Sequence, residues 1–245
     1  MEQNPNEHPD FQKYRPKKLS VEEIKEGCIN LTGEDHDNDQ RLCVVNEEFR
    51  QGLEFAESIQ RSVTCFGSAR LPEDNEHYKQ AQSIAYRIAK ELDYAVITGG
   101  GPGIMEAANR GAYEAGGRSV GMTIHLPFEQ VTSKYVKDEL QFYFFFTRKV
   151  SMTFSAEAYL YFPGGFGTMD ELFEILTLVQ TKKIGKVPII LVGEDYWRPL
   201  DEFIKKTLLE THQTISPEDL DLYTITDDED KILEIVKNAP IRNEN

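Results

Sequence analysis

Cysteine is scarce in this chain: three among 245 residues, Cys28, Cys43 and Cys65, without metal-ligand spacing. That spacing does not suggest a metal site, and the odd, sparse set fits a reducing cytoplasm. Long apolar runs are missing as well. None approaches the ~20 residues needed to span a bilayer. The polar, acidic N-terminus lacks the apolar core of a signal peptide. Cations are in deficit, 27 against 42 acidic residues, for a net charge of −15. Such a balance argues against nucleic acid or an anionic membrane as partner. It leaves room for a local basic pocket that takes a small anion. No Gly-x-x-x-x-Gly-Lys-Ser/Thr stretch occurs, which excludes a P-loop NTPase. There is no tandem repeat.

What remains suits one large domain with a polar extension. A chain this long buries roughly 70–75% of its unfolded surface and needs no staples. Residues 1–45 are polar, with a short helix expected over Val21–Cys28 and a solvated loop over Gly33–Asp39. Residues 46–245 carry the pattern of a folded domain. A helix is expected from Asn46 to Gln60, with Phe49, Leu53, Ala56 and Ile59 as its apolar stripe. Strand and helix signals then alternate. Strands are expected at 62–66, 94–98, 119–124, 158–162 and 187–193. Helices are expected at 77–92, 104–113, 147–157, from 168, from Pro199 to Glu210, and at 228–238. Pro127 to Asp138 reads as irregular. Alternation of this kind implies βαβ units, an α/β fold with an open, Rossmann-like parallel sheet flanked by helices. Cys65 sits in an apolar strand and reads as a packing residue.

Two strand–glycine–helix units stand out. In the first, Thr98 is followed by Gly99-Gly100-Gly101-Pro102-Gly103 and an apolar helix start. In the second, Phe162 is followed by Pro163-Gly164-Gly165-Phe166-Gly167-Thr168-Met169-Asp170-Glu171. Glycines let backbone N–H groups approach a ligand, and a helix start adds unpaired donors and a positive dipole end. Together these features bind phosphate. Both loops fall at the carboxyl ends of parallel strands, where open α/β sheets take ligands. The first loop is not a dinucleotide fingerprint, because Glu106 stands where the third glycine belongs. The second has no lysine to reach β and γ phosphates. A monophosphate fits it better, held by N–H groups and Thr168.

Three charged residues complete the reading. Arg148 and Lys149 begin a helix just after five aromatic residues, Phe142 to Phe146. Arg148 offers a planar fork for phosphate or ribose oxygens, and Met152 lies one turn on. The aromatic run suits either a core or subunit interface or a wall for base stacking. Glu171, one turn into its helix, is expected to stay ionised, since the helix dipole and a nearby arginine favour the charge. It would then activate water as a base or stabilise a cationic transition state. His77, His125 and His212 read as surface or supporting groups.

These residues resemble the Lonely Guy (LOG) family. The resemblance rests on Pro163 to Glu171, on Arg148-Lys149 upstream and on the Gly99–Met105 segment. It runs from Phe66-Gly67-Ser68 to roughly Asp227. The longer bacterial branch is the most similar: it shares Glu106-Ala107-Ala108-Asn109, Leu126-Pro127-Phe128-Glu129-Gln130 and Asp195-Tyr196-Trp197. The resemblance implies a phosphoribohydrolase that cleaves nucleoside 5′-monophosphates, AMP or cytokinin nucleotides, to free base and ribose 5-phosphate. It implies Arg148 and Glu171 as the catalytic pair. Substrate phosphate and ribose would be held by Gly67, Ser68, Gly99, Gly100, Gly101, Gly103, Gly164, Gly165, Gly167 and Thr168, with Lys149 and Met152 lining the site. A homodimer or larger homo-oligomer in the cytoplasm is implied, with no cofactor and no metal. Pyridoxal-phosphate lysine decarboxylation, a label such sequences carry, finds little support, because Lys149 has no acidic partner placed for a pyridine nitrogen.

Overall fold

Short apolar strands separated by amphipathic helices fold as the alternation requires. The computed structural model describes residues 37–125 and 132–241. The expected helix over Val21–Cys28, most of the polar extension and the 126–130 segment lie outside the described residues. The elements run α1 (Asp37–Glu57), β1 (Ser62–Phe66), α2 (Glu76–Leu92), β2 (Ala95–Thr98), α3 (Ile104–Glu114), β3 (Ser119–Ile124) and β4 (Asp138–Phe142). They continue with α4 (Phe145–Thr153), β5 (Ala158–Tyr161), α5 (Phe166–Gln180), β6 (Ile189–Leu191), α6 (Glu194–Phe203), β7 (Thr224–Ile225) and α7 (Glu229–Lys237).

The strands form one seven-stranded sheet in the order β4-β3-β2-β1-β5-β6-β7. Every pairing is parallel, with Val63 opposite Val96 and Cys65 opposite Leu160. Strands β1, β2, β3 and β5 are buried at every position, as a sheet covered on both faces demands. Successive side chains point to opposite faces. Val63, Cys65, Val96 and Leu160 pack under α2, α3 and α7. Ile97, Val120, Met122, Tyr159 and Tyr161 pack under α1, α5 and α6. Cys65 is a buried free thiol, and burial pushes its pKa up to about 12, so it is an inert packing group.

Three expectations need correction. Helix α1 begins at Asp37 and crosses the expected boundary at residue 45. Of the expected stripe, Ala56 and, just beyond the helix, Ile59 are buried, but Leu53 is exposed, and Val44, Glu48, Gln51 and Phe55 complete the buried face. Apolar counting found only part of this face because Glu48 is buried for its charge. Its carboxylate accepts hydrogen bonds from the Tyr143 and Phe144 N–H groups at 2.5 and 3.2 Å and from Thr147 Oγ1 at 2.6 Å. Those donors belong to the unpaired start of α4. Second, a strand, Asp138–Phe142, starts at the end of the expected irregular stretch, where no strand was expected. It is the edge of the sheet, so its outer residues stay polar. Third, Pro199 lies inside α6, which starts at Glu194 rather than at the proline. A proline there removes a backbone donor, and the chain continues as a π-helical segment over Ile204–Thr211.

Candidate active site

The strand order places β1 between β2 and β5, so the loops that leave these three strands meet at a topological switch point. Backbone hydrogen bonds tie them together. Ser68 N donates to Pro163 O at 2.9 Å, and Ile104 N donates to Ser68 O at 2.9 Å. Gly103 makes this fit possible. Its φ is 70°, and an added Cβ would lie 2.3 Å from Ser68 O. Thr98 supports the same loop: its hydroxyl accepts from Gly100 N at 2.9 Å and donates to Asn109 at 2.5 Å. Tyr196 supports the other, donating to Gly164 O at 2.5 Å.

Both loops open into helices that have no side-chain cap. Gly103 precedes α3 and Gly165 precedes α5. By contrast, Asn75 caps α2 and Asp228 caps α7. Ile104 N is taken by Ser68 O, and no side chain takes the other first-turn donors of these two adjacent helix starts. Gly165 and Gly167 face open space. Thr168 is buried, with its hydroxyl against Gly164. Gly67 packs on Ile104. A cleft of about 540 Å³ opens beside these loops, lined by Ser68, Leu71, His77, Pro163, Gly164, Gly165, Asp195 and Tyr196. Arg148 and Glu171 do not line it.

Arg148 reaches the first loop from α4. Its Nη2 lies so near Gly99 that an added Cβ would sit 2.5 Å away, and its Nε donates to Met122 O at 2.8 Å. Among the described residues, no carboxylate lies within 4 Å of the guanidinium. Burial pulls its pKa down, and the charge of Glu171 opposes that shift. Arginine stays charged regardless. A half-buried cation without an ion-pair partner beside a glycine loop is suited to an anion.

Glu171 departs from the expected constant ionisation. Burial raises its pKa to about 7; Lys149 and Arg148 hold it down, while Glu174 and Asp170 push it up. Desolvation outweighs the helix dipole and both cations. Lys149 and Met152 also take places other than those expected. The Lys149 ammonium is held by Asp170 at 2.6 Å and Glu174 at 2.8 Å. Burial opposes its charge, yet those partners and Glu171 raise its pKa. Met152 is fully enclosed in the core and offers no surface to a ligand. Sequence reasoning missed Leu71, Asp195 and Tyr196 as cleft residues and placed His77 only as a supporting group. Their positions depend on how α2 and α6 begin, which no periodicity reveals.

Fold and site together define a Rossmann-like α/β protein with paired glycine loops at its switch point. The chain belongs to the family described as "possible lysine decarboxylase", whose profile matches residues 105–236, and this is the LOG family. It is 28% identical over 158 residues to a cytokinin riboside 5′-monophosphate phosphoribohydrolase of Rhodococcoides fascians, covering 61% of this chain and 77% of that one. It is 30% identical over 166 residues to a pyrimidine/purine nucleotide 5′-monophosphate nucleosidase of Escherichia coli strain K12, covering 60% of this chain. That match spans only 35% of the E. coli protein. Among solved structures, the molybdenum cofactor carrier protein of Chlamydomonas reinhardtii superposes with a TM-score of 0.54 at 22% identity, over 73% of this chain and 96% of that one. That likeness concerns the fold alone. The family description implies pyridoxal phosphate, but the residues do not fit it. A Schiff-base lysine must lose its proton, whereas Lys149 is locked as an ammonium between two carboxylates.

Proposed function

We propose that this protein hydrolyses the N-glycosidic bond of nucleoside 5′-monophosphates, releasing free base and ribose 5-phosphate. The observation that carries this reading is Arg148: a half-buried guanidinium with no ion-pair partner among the described residues, seated on Gly99 beside Glu171. The named activities of the similar proteins support it.

The residues divide the work. The Gly67-Ser68, Gly99–Gly103 and Gly164–Thr168 loops would hold the 5′-phosphate through backbone N–H groups, Ser68 and Thr168. Charge-assisted hydrogen bonds of this kind are worth roughly 1.5–3 kcal/mol each. Arg148 would fix the phosphoribosyl group. Departure of the base builds positive charge on the ribose, as in glycosidases. Ionised Glu171 faces that charge and orients the water that adds to the anomeric carbon. AMP and cytokinin nucleotides are the substrates we favour. A homodimer fits the aromatic surface of α1 and α4. No helix among the described residues is long and apolar enough to cross a membrane. We place the activity in the cytoplasm because phosphorylated substrates and products do not cross bilayers.

Incubation with AMP, isopentenyladenosine monophosphate, other nucleoside monophosphates and adenosine, with chromatography of free base, tests the reading. Base is expected from monophosphates and not from adenosine. Nucleotide binding without base release would make the protein a sensor instead.

A further inference from the structure

Lys149 follows the unpaired Arg148 on α4, yet its own charge is already engaged. Its ammonium bridges Asp170 Oδ2 and Glu174 Oε2 at 2.6 and 2.8 Å. These two residues flank Glu171 on α5: Asp170 precedes it, and Glu174 lies one turn on. The Glu174 oxygen is fully buried and makes no hydrogen bond other than this ion pair. Without Lys149, three carboxylates would crowd one turn of helix, and like charges at that spacing suppress each other's ionisation. The groups that face Glu171 are Arg148 and Lys149 from α4, Asp170 and Glu174 from its own helix, and Tyr161 from β5. The Tyr161 hydroxyl donates to the Glu171 backbone oxygen at 3.1 Å.

We propose that Lys149 is a positioning residue of the Glu171 centre: by gripping Asp170 and Glu174 it fixes the start of α5 against α4 and keeps a compensating positive charge beside the Glu171 carboxylate. It does so in place of holding the substrate phosphate. The kinetic consequence rests on the phosphoribohydrolase reading; the consequence for Glu171 itself does not.

The test is Lys149→Met. Carbon-13 NMR of carboxyl-labelled glutamate, assigned with Glu171→Gln, follows the Glu171 titration without substrate. The midpoint is expected to move up by about one pH unit or more. The acid limb of kcat/KM for AMP should move with it, while KM measured well above the midpoint changes less than about threefold. Lys149→Arg should restore both. The double variant Lys149→Met/Glu174→Gln removes one charge of each sign and should bring the titration back toward the starting value. An unmoved Glu171 titration overturns the proposal. So does a tenfold or greater rise in KM with the acid limb in place, the mark of a phosphate ligand. If Lys149→Met fails to fold, Glu174→Gln decides alone: the Glu171 midpoint should fall, and an unmoved midpoint overturns the proposal. If the unaltered protein releases no base, the activity reading fails, while the titration still decides the role of Lys149.

Discussion

Glu171 has a pKa raised from 4.5 to about 7, mainly by burial. Between those pH values the folded state holds a proton that the unfolded state has released. Stability is therefore present below about pH 4.5 and is lost as pH rises through about 7. Glu171→Gln cannot ionise, so it escapes that loss. The variant should match the parent in unfolding free energy at low pH and exceed it by about 1–3 kcal/mol above about pH 8, read by urea titration. Its kcat should fall by roughly 10²–10⁴ with circular dichroism unchanged. A variant that turns over AMP normally would remove Glu171 from the mechanism. The same titration predicts that kcat/KM rises with pH through about 7, and that the variant's residual activity lacks this limb. Gly99 tests Arg148. A methyl there would press on the free end of the guanidinium and on the flexible Met105 thioether, not on backbone. Gly99→Ala should keep the fold and lower kcat/KM by about 10–100-fold through misplacement of Arg148. An unchanged rate would separate Arg148 from the chemistry.

At the scale of elements, buried polar contacts fix the site more tightly than apolar packing does. Asn109 on α3 accepts from Thr98 and donates to Ser119 Oγ at 2.9 Å and Val120 O at 3.1 Å, joining β2, α3 and β3. It is fully buried. Asn109→Ala leaves those groups unpaired and should cost about 1–3 kcal/mol in chemical unfolding. It should also weaken the Gly100 turn that Thr98 supports. A loss below about 0.5 kcal/mol would show that water replaces the amide. These contacts explain what the sequence made legible. Runs of apolar and small hydroxyl residues announced β1, β2, β3 and β5, because a strand buried on both faces carries no charged positions to confuse the pattern. Glycine turns announced the two loops, because close backbone approach excludes side chains. Polar residues acting out of pattern hid the rest. The outer positions of edge strand β4 are not apolar, Glu48 is buried to serve α4, and Pro199 sits inside a helix. The ionisation of Glu171 was misjudged for the same reason. The dipole and the cations can be read along the chain, whereas desolvation depends on how α4 and α5 cover the site.

At the scale of the whole molecule, the described residues cover both faces of the sheet but leave apolar side chains of α1 and α4 exposed. Phe145 is 63% exposed, and Phe146 and Phe154 are each 49% exposed, with Leu42 and Leu53 also at the surface. Phe49 of α1 and Phe146 of α4 touch at 6.2 Å between ring centres, so the apolar surface spans the seam of the two helices. Exposed apolar patches commonly mark contact surfaces, and identical chains most often meet about a two-fold axis. Arg148 lies on the same helix as these aromatics, so a partner seated here would also restrain α4 and, through Lys149, the start of α5. Light scattering should give twice the 28.1 kDa chain mass. The double variant Phe145→Ser/Phe146→Ser should give a monomer with unchanged circular dichroism. Its kcat/KM should fall, since α4 would lose the support of the partner. A parent protein that is monomeric at micromolar concentration would reject the dimer, and a double variant that stays dimeric would place the interface elsewhere.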